Sequence, residues 1–407
     1  MLLHERSAIT SAYVDKSDHF AQTFVSSGTF GFIPGEPSAY TQPLYGFFLV
    51  PIYGIFGRSW ESVGLAQIAV AVLTALVVYE LGRRVFSARV GLIAALLTTL
   101  HPYLIWHDVH MNREILDGLI GASITLLALL CAERLARPHV AALGFVLGVA
   151  TLSNARLVGL PILLAGYLLW RHGHSRALAG SLALMVGVFA LTLAPWVVRN
   201  RVSVGCFAVT TDSRALWKAN NANTFATLQR GAWIDDVPRL PGDAYTPQET
   251  YALWQQTGRV VHVDECGAMR KFQHLVWRFW VDHPGEKAEL AAQAGSMLWQ
   301  PSAHATEGRS GRGTWLDRVR KDVEPAYMIP VFALAAAGLL LAPRRYAALA
   351  VLLLVYQTGV AMLFAGDTRY RAPWDFLAMV LAAATLAWIT ERVTWHDQAK
   401  PGLTPVP

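Results

Sequence analysis

Ionisable residues are costly in an apolar chain, so its acids, histidines and arginines are the first place to look for chemistry. The stretch "YVDKSDHFAQTF" sets Asp15, Lys16, Asp18 and His19 within five positions, ahead of the proline-bearing aromatic run "QPLYGFFLVPIYGIFG". A carboxylate held there could act as a general base on an attacking hydroxyl; equally, the stretch could be a solvated tail. The link "WHDVHMNREILDG" places His107, His110 and Glu114 at i, i+3 and i+7, one face of a helix if a helix runs through them. Imidazole and carboxylate at that spacing could bind a divalent metal ion, while capping a helix and meeting headgroups is the commoner role of such a trio. Glu114 and Asp117 stand at the mouth of a hydrophobic span, where a carboxylate avoids lipid, and are expected to face the bundle interior. Arg156, Arg369 and Arg371 stand at the external ends of spans. Forked guanidinium hydrogen bonds there would suit a lipid phosphate, with plain snorkelling to the interface as the alternative.

The elements that must position these residues are membrane helices. The 407 residues are 54% hydrophobic and 15% charged, with a mean hydropathy of +0.35, which places the chain among polytopic membrane proteins. Its formal charge of +6 is spread thinly, without the basic face that nucleic acid would need. Residues 1–20 hold no charged region followed by an apolar run, so a cleavable signal peptide is not expected. The widely spaced Cys131, Cys206 and Cys266 suit neither a disulfide framework nor a metal knuckle. The latter two share a compartment and could pair.

Spans long enough to cross a bilayer are predicted at 63–81, 90–106, 115–132, 139–154, 157–170, 177–197, 326–342, 346–364 and 373–390. Arginines cluster in alternate links: Arg83, Arg84 and Arg89; Arg134 and Arg137; Arg171 and Arg176; Arg344 and Arg345; then Arg392. The positive-inside rule makes these links cytoplasmic. The organisation read from this is an acidic loop with interfacial helices over 1–62, membrane helices over 63–197, an extracytoplasmic segment over 198–325, membrane helices over 326–392 and a cytoplasmic tail over 393–407. The fold class is all-α, a polytopic bundle with a partly helical external insertion. The alternation sets the N-terminus outside, so the opening acids read as the first external loop of a longer design whose first span this chain lacks.

In order and spacing, several stretches together resemble the bacterial membrane glycosyltransferases of the GT-C fold, the family 39 relatives that include protein mannosyltransferases and aminoarabinose transferases. They are "DKSDHFAQTFVSSGTF", "PSAYTQPLYGFFLVPIYGIFG", "LLTTLHPYLIW", "NREILDG", "GVATLSNARLVGLPIL", "LAPWVVRNRVSVGCFAVTTD" and "GDTRYRAPWDFLAMVLAA". The usual "TRP" reads "SNARL" here, keeping Arg156 without the proline. The resemblance implies an inverting transfer of a sugar from a polyprenyl-phosphate carrier to an acceptor hydroxyl on the external face of a bacterial inner membrane. It implies Asp15 or Asp18 as general base, with Asp15 favoured, and Tyr40, Glu114, Asp117, Arg156, Arg369 and Arg371 as substrate-binding residues. His107, His110 and Glu114 are the candidate ligands if a divalent metal ion takes part. The partners are membrane lipid, the lipid-linked donor and a glycan, lipid or protein acceptor. A flippase or secondary transporter is the rival of another class; such proteins show two matching halves, whereas this chain is lopsided, with its large insertion after the sixth span. A catalytically inactive scaffold of the same fold is the second rival.

Overall fold

The computed structural model describes residues 16–302 and 319–398. Their regular structure is helical, apart from one isolated bridge between Ile33 and Glu36. Helices α1 (Lys16–Ser27) and α2 (Pro43–Phe56) precede the membrane bundle and pack on each other. Pro43 sits in the first turn of α2, where its missing N–H costs no helical bond, and Pro51 lies within the helix. The 14 residues of α2 rise about 21 Å, short of a bilayer core of roughly 30 Å.

The bundle follows as α3 (Trp60–Val85), α4 (Ala88–Thr99), α5 (Pro102–His107), α6 (Glu114–Glu133), α7 (Arg137–Ser153), a 3-10 turn (Ala155–Gly159), α8 (Leu160–His172) and α9 (Arg176–Ser203). The insertion carries α10 (Ser213–Lys218), α11 (Thr224–Gln229), α12 (Pro247–Thr257), α13 (Glu265–Asp282) and α14 (Pro284–Leu298). The chain re-enters the bundle with α15 (Glu324–Leu341) and α16 (Arg344–Leu363), then a short α17 (Thr368–Arg371), a 3-10 turn (Ala372–Trp374) and α18 (Phe376–Gln398).

Helices thus stand at all nine expected places, but they are not nine equal spans. Among the described residues, five helices are long and apolar enough to cross a membrane: Trp60–Val85, Glu114–Glu133, Arg176–Ser203, Lys321–Leu341 and Arg344–Leu363. The pair Thr368–Trp374 and Phe376–Arg392, bent by 55°, makes a sixth if it is one span. The expected span 90–106 breaks at Leu100–His101, because Pro102 starts a new helix.

Close helix crossings are made at glycines, as is usual where lipid gives no hydrophobic drive and packing must hold helices together. A Cβ on Gly91 of α4 would meet the Tyr79 carbonyl oxygen of α3 at 2.4 Å, and one on Gly144 of α7 would meet the Met185 oxygen of α9 at 2.4 Å. The insertion is fixed to the bundle through α14, which packs on α16. At the end of that seam a Cβ on Gly366 would fall 1.7 Å from the Ala294 oxygen, so no larger residue fits without a shift. Cys206 and Cys266 form a disulfide with a Cα–Cα distance of 5.9 Å, tying the start of the insertion to α13 and meeting the sequence expectation.

Candidate functional site

A cavity of about 610 Å³ opens where the insertion meets the helix ends of the bundle, within the ~300–1,000 Å³ typical of ligand sites. Its wall holds seven basic residues (Lys16, Arg113, Arg156, Arg214, Lys218, Arg239 and Arg369) against three acidic ones (Asp212, Asp235 and Glu249). The excess of positive charge favours an anion.

One part of the wall is assembled from three distant segments. Glu265 Oε2 accepts from the Ala39 N–H at 3.1 Å and from the Thr211 hydroxyl at 2.6 Å, while the Thr211 N–H donates to the Ala39 carbonyl at 2.9 Å. Arg199 donates to the carbonyls of Ser38 and Phe30 at 2.9 and 2.8 Å. This lacing presents Tyr40 and Asp212 side by side. Lys16 Nζ donates to Asp212 Oδ2 at 2.8 Å and lies 4.4 Å from the centre of the Tyr40 ring. Burial alone would lower the pKa of Lys16, but the Asp212 charge holds it above the ordinary lysine value. Burial, aided by Asp212, raises the Tyr40 hydroxyl.

The second part is built around Arg156. Asp117 accepts from Ser153 Oγ at 2.7 Å and from Asn154 Nδ2 at 3.2 Å, and Asn154 Oδ1 accepts from the Arg156 N–H at 3.2 Å. Tyr356 donates to the Arg156 carbonyl at 2.7 Å. So positioned, the guanidinium lies 4.0 Å from the Tyr370 ring centre and 5.1 Å from that of Phe364. Among the described residues no carboxylate pairs with it. Burial lowers its pKa, Tyr370 opposes that, and the positive charges of Arg113 and Arg369 lower it further. An anion arriving here would relieve all three arginines. Arg369 donates to Glu114 Oε1 from Nε at 2.9 Å and from Nη2 at 2.8 Å, and Arg113 donates to Gln42 Oε1 at 2.5 Å.

The sequence-predicted residues therefore divide. Tyr40, Arg156 and Arg369 line the cavity. Glu114 and Asp117 are buried as expected, but each is engaged with the protein, orienting Arg369 and Arg156. Arg371 is turned elsewhere: fully buried, it pairs with Asp375 at 2.9 Å and donates to the carbonyls of Leu298 and Gln300. Asp375 is held in turn by His101 at 3.1 Å. Asp18 is fully buried and accepts from Arg58, Tyr53 and Gln22. Asp15 lies outside the described residues; its neighbour Lys16 lines the cavity.

The helix expected through the His107, His110 and Glu114 trio does not run through it. Helix α5 ends at His107, a turn follows, and α6 begins at Glu114. The side chain of His107 is outside the described ones. His110 is buried, with its carbonyl accepting from Gln67 at 2.7 Å, and Glu114 is committed to Arg369. Among the described residues no three His, Cys, Asp or Glu side chains are placed to hold a metal ion. Sequence reading gave no role to Lys16, Arg113 or Asp212, all of which line the cavity. Asp108 lies between the two histidines, and burial pushes its carboxyl up to about 7. Asp212 carried a signal, since an aspartate opening "DSRALWK" is a helix N-cap, and its Oδ1 accepts from the Ala215 N–H at 3.3 Å.

Comparison with known proteins agrees with this architecture. The family model described as Dolichyl-phosphate-mannose-protein mannosyltransferase matches residues 37–198, which include Tyr40, Arg113 and Arg156. No curated protein matches the sequence. Among solved structures, the Archaeoglobus fulgidus oligosaccharyltransferase tethered with an acceptor peptide superposes with a TM-score of 0.54 at 14% identity, over 95% of this chain and 47% of that one. The same organism's oligosaccharyltransferase AglB, in complex with an inhibitory peptide and a dolichol-phosphate, gives 0.53 at 14% identity, over 95% and 48%. ArnT from Cupriavidus metallidurans, bound to undecaprenyl phosphate, gives 0.43 at 16% identity, over 98% and 78%. The chain spans about half the length of the archaeal enzymes. At these identities the likeness is one of fold: the chain is a multi-pass helical bundle of the GT-C type, as its motifs implied.

Proposed function

We propose that the chain is a membrane glycosyltransferase that takes a sugar from a polyprenyl-phosphate donor and passes it, with inversion, to an acceptor hydroxyl. The observation that carries this reading is Arg156: ring-flanked, without a carboxylate partner among the described residues, and set beside Arg113 and Arg369 on a cavity wall. Guanidinium forks there would hold the carrier phosphate. As the acceptor oxygen attacks the anomeric carbon, the bond from that carbon to the phosphate oxygen breaks. The arginines would stabilise the charge developing on the leaving phosphate. Asp15 is our general base, receiving the acceptor's proton. Asp18 is spent on Arg58 and serves to seat α1, whose first residue reaches the cavity. No step is routed through a metal ion. The Archaeoglobus enzymes, whose structures contain a dolichol-phosphate or an acceptor peptide, support this reading by analogy of fold.

The site belongs, in this reading, on the extracytoplasmic face of a bacterial inner membrane. Helix α16 has Arg344 and Arg345 at its start and Phe364, a cavity residue, at its end. Its 20 residues set the two about 30 Å apart, the thickness of a bilayer core. The Cys206–Cys266 disulfide, in the insertion on the cavity side, suits an oxidising compartment.

Binding of undecaprenyl phosphate to the purified full chain tests the reading. Wild type should bind with an affinity that falls as salt rises. Loss of a charge-assisted contact worth about 1.5–3 kcal/mol should weaken Arg156→Ala by at least about tenfold. Equal binding by the two proteins would remove the carrier reading.

A further inference from the structure

The insertion supplies a part of the cavity wall whose chemistry differs from that around Arg156. Lys218 Nζ lies 3.6 Å from Asp235 Oδ1, Arg239 pairs with Glu249 at 2.9 Å, and Arg214 pairs with Asp243 at 2.8 Å. Every cation the insertion brings to the wall already faces a carboxylate. That region therefore offers donors and acceptors together, with little net field to attract or repel a charged group.

Two further residues stand on the same wall. Trp233 packs against the small apolar cluster that holds Ala219, Leu228, Ile234, Met297 and Ala365, and also borders the cavity. Gln248 is exposed to it, and among the described residues its amide makes no hydrogen bond. A sugar without charge needs this combination: hydroxyls that both donate and accept, and a ring face of C–H groups that rests on an aromatic surface. The position also fits. Trp233 and Gln248 line the same cavity as Arg156 and Phe364, whose ring centre is 5.1 Å from the Arg156 guanidinium. The indole and the amide thus share one space with the phosphate-holding arginine, the space that a sugar bonded to that phosphate would enter.

We propose that Trp233 and Gln248 form the subsite for the donor's sugar, and that this sugar is uncharged. The inference rests on the carrier reading above and adds the class of sugar and the residues that select it.

The test compares three probes on the full chain in nanodiscs: undecaprenyl phosphate, undecaprenyl-phosphate mannose, and the cationic undecaprenyl-phosphate 4-amino-4-deoxyarabinose. Wild type should bind the mannosyl lipid about tenfold more tightly than the bare carrier, a gain of about 1.4 kcal/mol, and the amino sugar should show no such gain. Trp233→Ala and Gln248→Ala should each cut the mannose gain to about threefold or less, about half of that free energy. Gln248 is exposed and its amide makes no hydrogen bond among the described residues, so its variant keeps the test clear of misfolding. A mannose gain unchanged in both variants, or a preference for the amino sugar, would overturn the subsite while leaving the carrier reading standing. Failure of wild type to bind even the bare carrier would overturn both.

Discussion

Arg58 grips Asp18 at two points, Nε to Oδ1 at 3.1 Å and Nη2 to Oδ2 at 2.9 Å. The Tyr53 hydroxyl adds a bond to Oδ1 at 2.5 Å, and Gln22 one to Oδ2 at 2.9 Å. A carboxylate so fully used has no oxygen left for a substrate proton. Its role is structural: α1 is bolted through Asp18 to α2 and to Arg58, two residues ahead of α3.

The two opening acids should therefore fail in different ways. Asp18→Asn leaves Arg58 without its counter-charge, and breaking a buried pair costs about 3–5 kcal/mol. The low end is expected, because Arg58 keeps 40% of its side chain exposed. Thermal unfolding in detergent should show the loss. Asp15→Asn should instead keep the wild-type unfolding midpoint and reduce sugar transfer by ~10²- to 10⁴-fold, the usual contribution of general-base help. An Asp18→Asn protein as stable as wild type, but inactive, would exchange the two roles.

What the sequence could and could not show follows from the range of each contact. Apolar runs mark helices locally, so all nine positions were legible, and arginines near span ends identified Arg156 and Arg369. Helix length was less legible, because Pro102 and Pro161 are compatible with either a bend or a new start. Lys16 meets Asp212 across 196 positions and Arg58 meets Asp18 across 40, separations that no local pattern encodes. Arg371 is the instructive case. Its partner Asp375 lies four residues on, a helical spacing visible in "RYRAPWD", and that pairing holds it away from the cavity wall.

The disulfide gives a prediction that does not depend on any substrate. With Cys206 and Cys266 joined, only Cys131 of the three cysteines should react with maleimide in denaturant before reduction, and all three after it. Cys206→Ser should lower thermal stability by about 2–4 kcal/mol, typical of a disulfide closing a loop. Three reactive thiols in the unreduced protein would refute both the bond and its support for an external insertion.

Orientation is tested by reporter fusions. Arg345 pairs with Glu133 at 2.8 Å, and the Tyr167 hydroxyl donates to the Arg345 carbonyl at 3.0 Å, which gathers the far ends of α6, α8 and α16 on one side of the bundle. Arg113 and Phe364, at the opposite ends of α6 and α16, are on the cavity side. Fusions after Arg84, Arg137, Arg176 and Arg345 should report cytoplasm, and one at Asp243 the outside. A cytoplasmic reading at Asp243 would move the cavity to the wrong face for an external transfer.

The last prediction separates a ligand from a residue that orients one. Glu114 is 2% exposed and sits at the start of α6, where its Oε1 receives both Nε and Nη2 of Arg369. If Glu114 bound the sugar directly, Glu114→Gln would weaken donor binding and leave the fold intact. Its geometry says the reverse. The substitution removes the carboxylate charge that Arg369 faces, so stability should drop by about 3 kcal/mol or more for a broken buried pair. The carrier phosphate, facing three arginines with less competition, should bind as tightly as before or several-fold more tightly, since one unit charge at a partly buried site is worth about 1 kcal/mol or more. Arg369→Ala should lose both stability and carrier affinity. Titration of undecaprenyl phosphate alongside thermal unfolding distinguishes these outcomes, and a stable Glu114→Gln protein with weakened carrier binding would return Glu114 to the substrate.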